Sequence, residues 1–185
     1  MDHVIGPVRP EEWPRTRELR LDALKDPAAP VAFLETYEQA LEYPDAVWRE
    51  RAEGFSARHG TRSVQFVAEA PDGSWSGSVA LLVEEAGRED FFGATVERAQ
   101  GHLVGVFVRP EHRGGRVIAA LVAAALDWAW ALEEPRLARV RLYVNDGNPR
   151  AAAAYRKLGF VPTGVTMPMA CDPSAKELEC AIARP

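Results

Sequence analysis

Residues 103–131, LVGVFVRPEHRGGRVIAALVAAALDWAWA, join an apolar strand, a basic glycine turn and a long helix without a break. Leu103 to Val108 is apolar at almost every position, the pattern of a strand buried on both faces. Pro110 ends it, because proline has no backbone N–H to give a ladder. Beyond Arg116, the residues Val117, Leu121, Ala125, Trp128 and Leu132 recur at three- and four-residue spacing and predict a helix with one apolar stripe.

The turn between them has chemistry of its own. A helix N-terminus carries unpaired N–H groups and a partial positive charge. Gly114 and Gly115 let backbone approach a ligand closely, and Arg113 and Arg116 add guanidinium donors suited to phosphate oxygens. Together they describe a pyrophosphate cradle. The plain alternative is a strand-to-helix turn bearing two solvated arginines.

A second stretch bears on that choice. Asn148 is a good N-cap, Pro149 suits the first helical position, four alanines favour a helix, and Gly159 fits its C-terminal cap before a strand opens at Phe160. The series Asn-x-x-Ala-x-x-x-Tyr-x-x-Leu-Gly-Phe, preceded by an Arg-Gly-Gly turn after a Val-x-Pro strand end, resembles the GNAT superfamily of N-acetyltransferases. Specific motifs cover about residues 101–163, and the rest agrees in element order.

The resemblance implies acetyl-CoA as cosubstrate and a primary amine as acceptor. It implies that backbone groups at Val106 and Val108 bind the pantetheine arm, while an N–H at Phe107 or Val108 polarises the thioester carbonyl. The turn of Arg113, Gly114, Gly115, Arg116, Val117 and Ile118 would hold the pyrophosphate. The strand Arg139 to Val144 would splay from the central one and leave a cleft. Asn148 would contact the cofactor arm, and Tyr155 would protonate the departing thiolate. One departure stands out: the family turn reads Arg/Gln-x-x-Gly-x-Gly/Ala; counting from Arg113 its glycine places hold Arg116 and Ile118, counting from His112 they hold Gly115 and Val117, and neither register matches fully. Side chains there narrow the room for a pyrophosphate. For a general base the candidates are His102, at the start of the central strand, and Glu97 just upstream. In the family, the segment between the first two strands forms a wall of the acceptor site; here it holds Phe33, Glu35, Tyr37, Glu38 and Glu42, and its plain reading is an amphipathic helix with a solvated acidic face.

The remaining elements are read in order. His3 to Val8 is a short strand, and Pro10 opens a helix through about Lys25. Val31 to Tyr43 is ambiguous, and Pro44-Asp45 begins a helix. Val64 to Glu69 and Trp75 to Glu84 form a hairpin about Pro71–Ser74. Phe91 to Gln100 is undetermined. Along Arg139 to Val144, Val140, Leu142 and Val144 face one way and Arg141 and Tyr143 the other. After the Asn148 helix come strands Phe160 to Val165 and Glu177 to Ala183, with a turn at Cys171–Ser174. This predicts an α+β (mixed α/β) fold: one domain over residues 1–185, a mixed sheet of about seven strands and about four helices.

Charge narrows the partners. The net charge is −5, and of 22 basic residues only Lys25, Lys157 and Lys176 are lysine. With no basic run, nucleic acid is not an expected partner. The N-terminus lacks the pattern of a signal peptide, and no apolar stretch reaches membrane-spanning length, so a cytoplasmic protein without a membrane partner is expected. Cys171 and Cys180 are then expected as reduced thiols, and no metal-ligand pattern surrounds either. The expected partner is a small-molecule or peptide amine acceptor, with a homodimer left open. Two other functions compete with acetyl transfer: a non-catalytic acyl-CoA-binding domain on the same fold, and a nucleotide-phosphate binder using the same turn. The Asn148 to Phe160 motif speaks against the last.

Overall fold

The computed structural model describes residues 3–56, 62–169 and 172–185. Its strands are β1 (Val4–Pro7), β2 (Ser63–Glu69), β3 (Trp75–Glu84), β4 (Gln100–Val108), β5 (Arg139–Asn145), β6 (Val161–Met169) and β7 (Asp172–Ala183). Its α-helices are α1 (Trp13–Leu24), α2 (Tyr37–Glu42), α3 (Asp45–Gly54), α4 (Val117–Ala131) and α5 (Pro149–Lys157). The strands form one mixed sheet in the order β1-β2-β3-β4-β5-β7-β6. Every pairing is antiparallel except β4 with β5, which α4 connects as a crossover. No helix among the described residues is long and apolar enough to cross a membrane.

Strand alternation divides the core into two layers. Val64, Phe66 and Ala68 of β2 face α4, where Leu121, Val122, Ala125 and Ala129 are buried against them. Between them Val67 points the other way, into a second cluster with Leu19 and Ala23 of α1 and Trp48 of α3. Phe107 and Val108 divide between the layers in the same manner. On β5, Val140, Leu142 and Val144 enter the α4 layer, as their alternation predicts. Truncating a fully buried leucine such as Leu121 to alanine in this packing should cost about 2–5 kcal/mol.

The differences from the sequence reading lie mostly at element ends. The first helix begins as a 3-10 turn at Pro10–Glu12 before α1 starts at Trp13. The ambiguous Val31 to Tyr43 segment becomes a fifth helix, α2, because the Thr36 hydroxyl accepts from the Gln39 N–H while the Gln39 side chain accepts from the Thr36 N–H. The central strand starts at Gln100 rather than Leu103, since buried partners meet its polar residues. The last strand starts at Asp172, five residues before the Glu177 expected. Cys180 is buried with a free thiol, and Cys171 lies outside the described residues.

Candidate active site

The site begins with two departures from regular sheet. In the first, β4 pairs with β5 only through Gly101↔Val140 and His102↔Arg141, after which the strands part. The splay that the resemblance implies is therefore present. The second is a bulge: Ser78 lies opposite Phe107 and Ala80 opposite Val104, so Gly105 and Val106 together face Val79. Gly105 sits at φ +62, a conformation that few residues other than glycine adopt. Between the parted strands lies a cleft of about 730 Å³, bounded by α1, the 28–35 segment, Phe91 and Phe92, and α5.

At one end of the cleft stands the basic turn. Gly114 adopts φ +77, and a Cβ there would meet nothing within 4 Å. The first intrahelical bond of α4 runs from Ala120 N to Arg116 O at 2.9 Å, so the earlier amides have no helical acceptor. Arg113, Gly114, Gly115 and Ile118 line the cleft, as do Val106, Phe107 and Val108 of β4. Arg113 is not a free charge: its Nε donates to Val108 O at 2.8 Å, and its Nη2 pairs with Asp26. Burial would raise the Asp26 carboxyl, but the bonds from Arg113 and the Ala28 N–H, with the charges of Arg113 and Arg150, together lower it, so the pair stays ionised. Arg113 thus anchors the turn to the chain just beyond α1. Arg116 is exposed and is not among the lining residues, and Val117 packs into the α4 core instead. Arg116 therefore does not crowd the cradle as its glycine-replacing place suggests. Asn148 lines the cleft while its side-chain oxygen caps α5, accepting from Ala151 N at 3.2 Å.

At the other end the strand residues are polar and joined. His102 Nδ1 lies 3.0 Å from Glu84 Oε1, with both side chains buried. Gln100 Nε2, Arg141 Nη2 and the Phe91 N–H also donate to Glu84. Burial alone would raise the Glu84 carboxyl, but bonds from His102 and Arg141, with their charges, hold it down to about 2. An ionised Glu84 can only accept in this contact, so the proton of the bond sits on His102 Nδ1. Arg141 extends the network to Asp90 at 2.7 Å and Glu179 at 3.1 Å. Burial pushes the Tyr143 hydroxyl up to about 12, and burial pushes that of Tyr155 well above its usual value, so both stay protonated at neutral pH.

The cleft thus brings together His102, Tyr155, Asn148, the bulge and the glycine turn. It does not include Glu97, which is exposed on the chain leading into β4. Of the expected acceptor wall, Phe33 and Glu35 line the cleft, whereas Tyr37, Glu38 and Glu42 do not. Glu84, Arg141, Phe91 and Phe92 are not among the site residues that the sequence reading names. The available signal was polar Gln100 and His102 at alternate positions of an otherwise apolar strand; nothing local names Glu84, 18 residues earlier, as their partner.

The description "Acetyltransferase (GNAT) family" belongs to the family model that matches residues 13–160. Among solved structures, a GNAT-family acetyltransferase from Streptococcus pneumoniae is similar at TM-score 0.72 and 15% identity, covering 99% of this chain and 100% of that one. The PaiA N-acetyltransferase of Thermoplasma acidophilum in complex with coenzyme A is similar at 0.69 and 17% identity, covering 97% and 98%. A chimera of the spermidine N-acetyltransferase SpeG from Vibrio cholerae and hSSAT is similar at 0.66 and 18% identity, covering 99% and 96%. At these identities the structural likeness speaks for the fold alone. None of the curated proteins matches the chain. With the family model spanning most of its length, the chain belongs to the GNAT family of acetyltransferases.

Proposed function

We propose that the protein transfers an acetyl group from acetyl-CoA directly to a primary amine. The observation that carries this is the His102–Glu84 pair at the mouth of the β4–β5 split, on the same cleft as Tyr155 and the glycine turn. The residues present fit the cosubstrate. Gly114 leaves the turn open, the first amides of α4 are free of helical partners, and the bulge sets Gly105 and Val106 along the cleft. The turn and Asn148 would hold its phosphates and arm, with Arg113 fixing the turn from behind. When bound, acetyl-CoA supplies an acetyl group already activated as a thioester.

The protein's own groups then handle protons and charge. His102 Nε2 takes a proton from the ammonium or from the attacking amine, as general-base chemistry requires. The backbone N–H groups beside the bulge face the developing negative charge on the carbonyl oxygen. As the N–C bond forms and the C–S bond breaks, the Tyr155 hydroxyl gives a proton to the departing sulfur; net, the amine's proton ends on the thiol and the amine becomes an acetamide. Burial pushes the Tyr155 hydroxyl up, so it holds its proton at neutral pH and is in its donor form when the sulfur departs.

The test has two parts. Thermal shift with acetyl-CoA against ATP separates an acyl-CoA site from a general phosphate site. Thiol release over an amine panel, in wild type and His102→Gln, then tests transfer. Loss of turnover by roughly 10²- to 10⁴-fold in the variant, with acetyl-CoA binding retained, is expected. Binding of acetyl-CoA with no amine turned over would favour the non-catalytic acyl-CoA domain.

A further inference from the structure

Strand register fixes which residues flank the acceptor. Gln65 lies opposite Ala80, and Ala80 opposite Val104, so these three share one level of the sheet, just before the bulge. Gln65 N donates to Phe55 O at 2.9 Å, which brings the end of α3 to that level. Arg51, one turn earlier on α3, therefore stands beside the cleft on the side away from the basic turn. It holds Glu35 with two bonds, of 3.3 and 3.1 Å, and Arg20 holds the same carboxylate through Nε at 2.7 Å. Arg20 also lies over the Phe33 ring at 4.3 Å, and among the described residues its Nη groups donate to no protein acceptor. All four of these residues line the cleft. Two guanidiniums against one carboxylate leave this wall with an excess positive charge.

Behind the facing wall, which His102 and Tyr143 form, lies a buried network with the opposite balance. Glu84, Asp90 and Glu179 meet only Arg141 and Arg139 as permanent cations, and all five form one chain of ion pairs. The excess negative charge lies beside His102. In front of it stand two exposed rings, Phe91 and Phe92, at 53% and 38% exposure. They are held there by Asp90, whose Oδ1 accepts from Phe92 N at 2.9 Å and Ala94 N at 2.8 Å. Both rings contact His102, at 5.8 and 5.9 Å between centroids, and Phe92 meets Tyr143 at 4.9 Å. Solvent-exposed aromatic rings fixed at a cleft mouth are a recognition surface for apolar or aromatic groups.

We infer that the acceptor is a zwitterion with an apolar body: an apolar or aromatic amino acid, or an amine of the same pattern, with its ammonium toward His102 and its carboxylate toward Arg20 and Arg51. This rests on the acetyl-transfer reading and names the substrate class of that site. A polyamine would fit poorly, since its second cation would face the Arg20–Arg51 wall, whose one carboxylate, Glu35, is already held by both arginines. Arg20 and Arg51 act as specificity residues here.

The experiment compares L-phenylalanine, L-tryptophan, phenethylamine and spermidine as acceptors by thiol release, and measures their binding to the CoA-saturated enzyme by calorimetry. The amino acids should exceed phenethylamine by about 10- to 100-fold in kcat/KM, the worth of a hydrogen bond to a charged group, and spermidine should be poorer still. Arg20→Gln and Arg51→Gln, each checked for folding by its melting curve, should erase the advantage of phenylalanine over phenethylamine, read as the ratio of the two kcat/KM values within each variant. Phe92→Ala should weaken all three aromatic acceptors together. A preference for spermidine or phenethylamine, or an unchanged preference in both arginine variants, overturns the inference. So does calorimetric binding of acetyl-CoA with no member of the panel bound, and that outcome leaves acetyl transfer standing. Failure of acetyl-CoA itself to bind removes the reading beneath it instead.

Discussion

Replacing Glu84 with glutamine removes one charge from the centre of the cleft's polar network and leaves its shape. Four donors converge on this carboxylate: Gln100 Nε2 at 2.8 Å, Arg141 Nη2 at 2.9 Å, His102 Nδ1 at 3.0 Å and Phe91 N at 3.2 Å. The group is buried, at 6% exposure, and held down to about 2 against an ordinary 4.5. Every tenfold change in proton affinity between the folded and unfolded chain corresponds to about 1.4 kcal/mol, so ionised Glu84 contributes about 3 kcal/mol at neutral pH. Because the folded value is the lower one, this stability is complete above pH 4.5 and is lost as pH falls toward 2. The glutamine amide also turns a donor toward existing donors, a loss of about 1–3 kcal/mol that does not vary with pH. Urea unfolding of wild type and Glu84→Gln at pH 7, 5, 4 and 3.5 should therefore show the variant least disadvantaged at the lowest pH. The gap should shrink by about 1.4 kcal/mol for each pH unit well below the unfolded-state value. A gap of the same size at every pH would refute the assignment of Glu84 as a strongly stabilised anion, and with it the proton placement on His102 Nδ1.

Tyr155→Phe keeps the ring in its buried place and removes the hydroxyl, so turnover should fall roughly 10²- to 10⁴-fold with acetyl-CoA affinity little changed; near wild-type turnover with chemistry rate-limiting would make Tyr155 a packing residue only. Gly114→Val forces a β-branched residue into φ +77, which should distort the turn and lower acetyl-CoA affinity at least tenfold by calorimetry on the folded variant, with a stability loss of about 1–3 kcal/mol from backbone strain by urea unfolding. Gly77→Ala places a Cβ 2.6 Å from the Phe107 carbonyl oxygen, pressing on backbone beside the bulge; a stability loss of about 1–3 kcal/mol is expected by denaturation. A Gly77→Ala variant as stable as wild type would mean that β3 and β4 can separate there freely.

Local chemistry made much of the fold legible. β3 matches its expected bounds, α5 lies between its Asn148 cap and Gly159, and the alternation on β5 sorts core from polar face because pleating alone dictates it. The glycine turn was legible for the same reason, since Gly114 is needed where φ is positive. What stayed hidden depends on contacts remote in sequence. Arg113 reads as a free phosphate donor until Asp26, 87 residues away, is seen to hold it. His102 reads as an isolated histidine until β3 brings Glu84 alongside. Glu97 reads as its equal because sequence proximity says nothing about which side of a strand's entry a loop residue takes. Phe91 and Phe92 open the stretch to Gln100 that is undetermined from sequence, and the only strand-like feature between β3 and β4 is an isolated bridge between Glu89 and Thr95.

The parted strands and the buried charges answer one physical problem. Opening the sheet between β4 and β5 gives up ladder bonds along most of a nine-residue and a seven-residue strand. Hydrogen bonds left unmade in an interior are costly, and a split sheet would tend to fray along its length. Arg141 sits at the last paired residue before the strands part. From there it bonds Glu84 on β3, Glu179 on β7 and Asp90 on the connecting loop, while Arg139 adds a second bond from β5 to Glu179 and one to Gln100 on β4. Side-chain ion pairs thus tie three strands together where the backbone ladder stops. Such a pairing is not the cheapest way to stabilise a core, since apolar residues of equal volume often do as well. An apolar replacement, though, could not accept the His102 Nδ1 proton, so the same residues that close the end of the split also orient the ring standing in it.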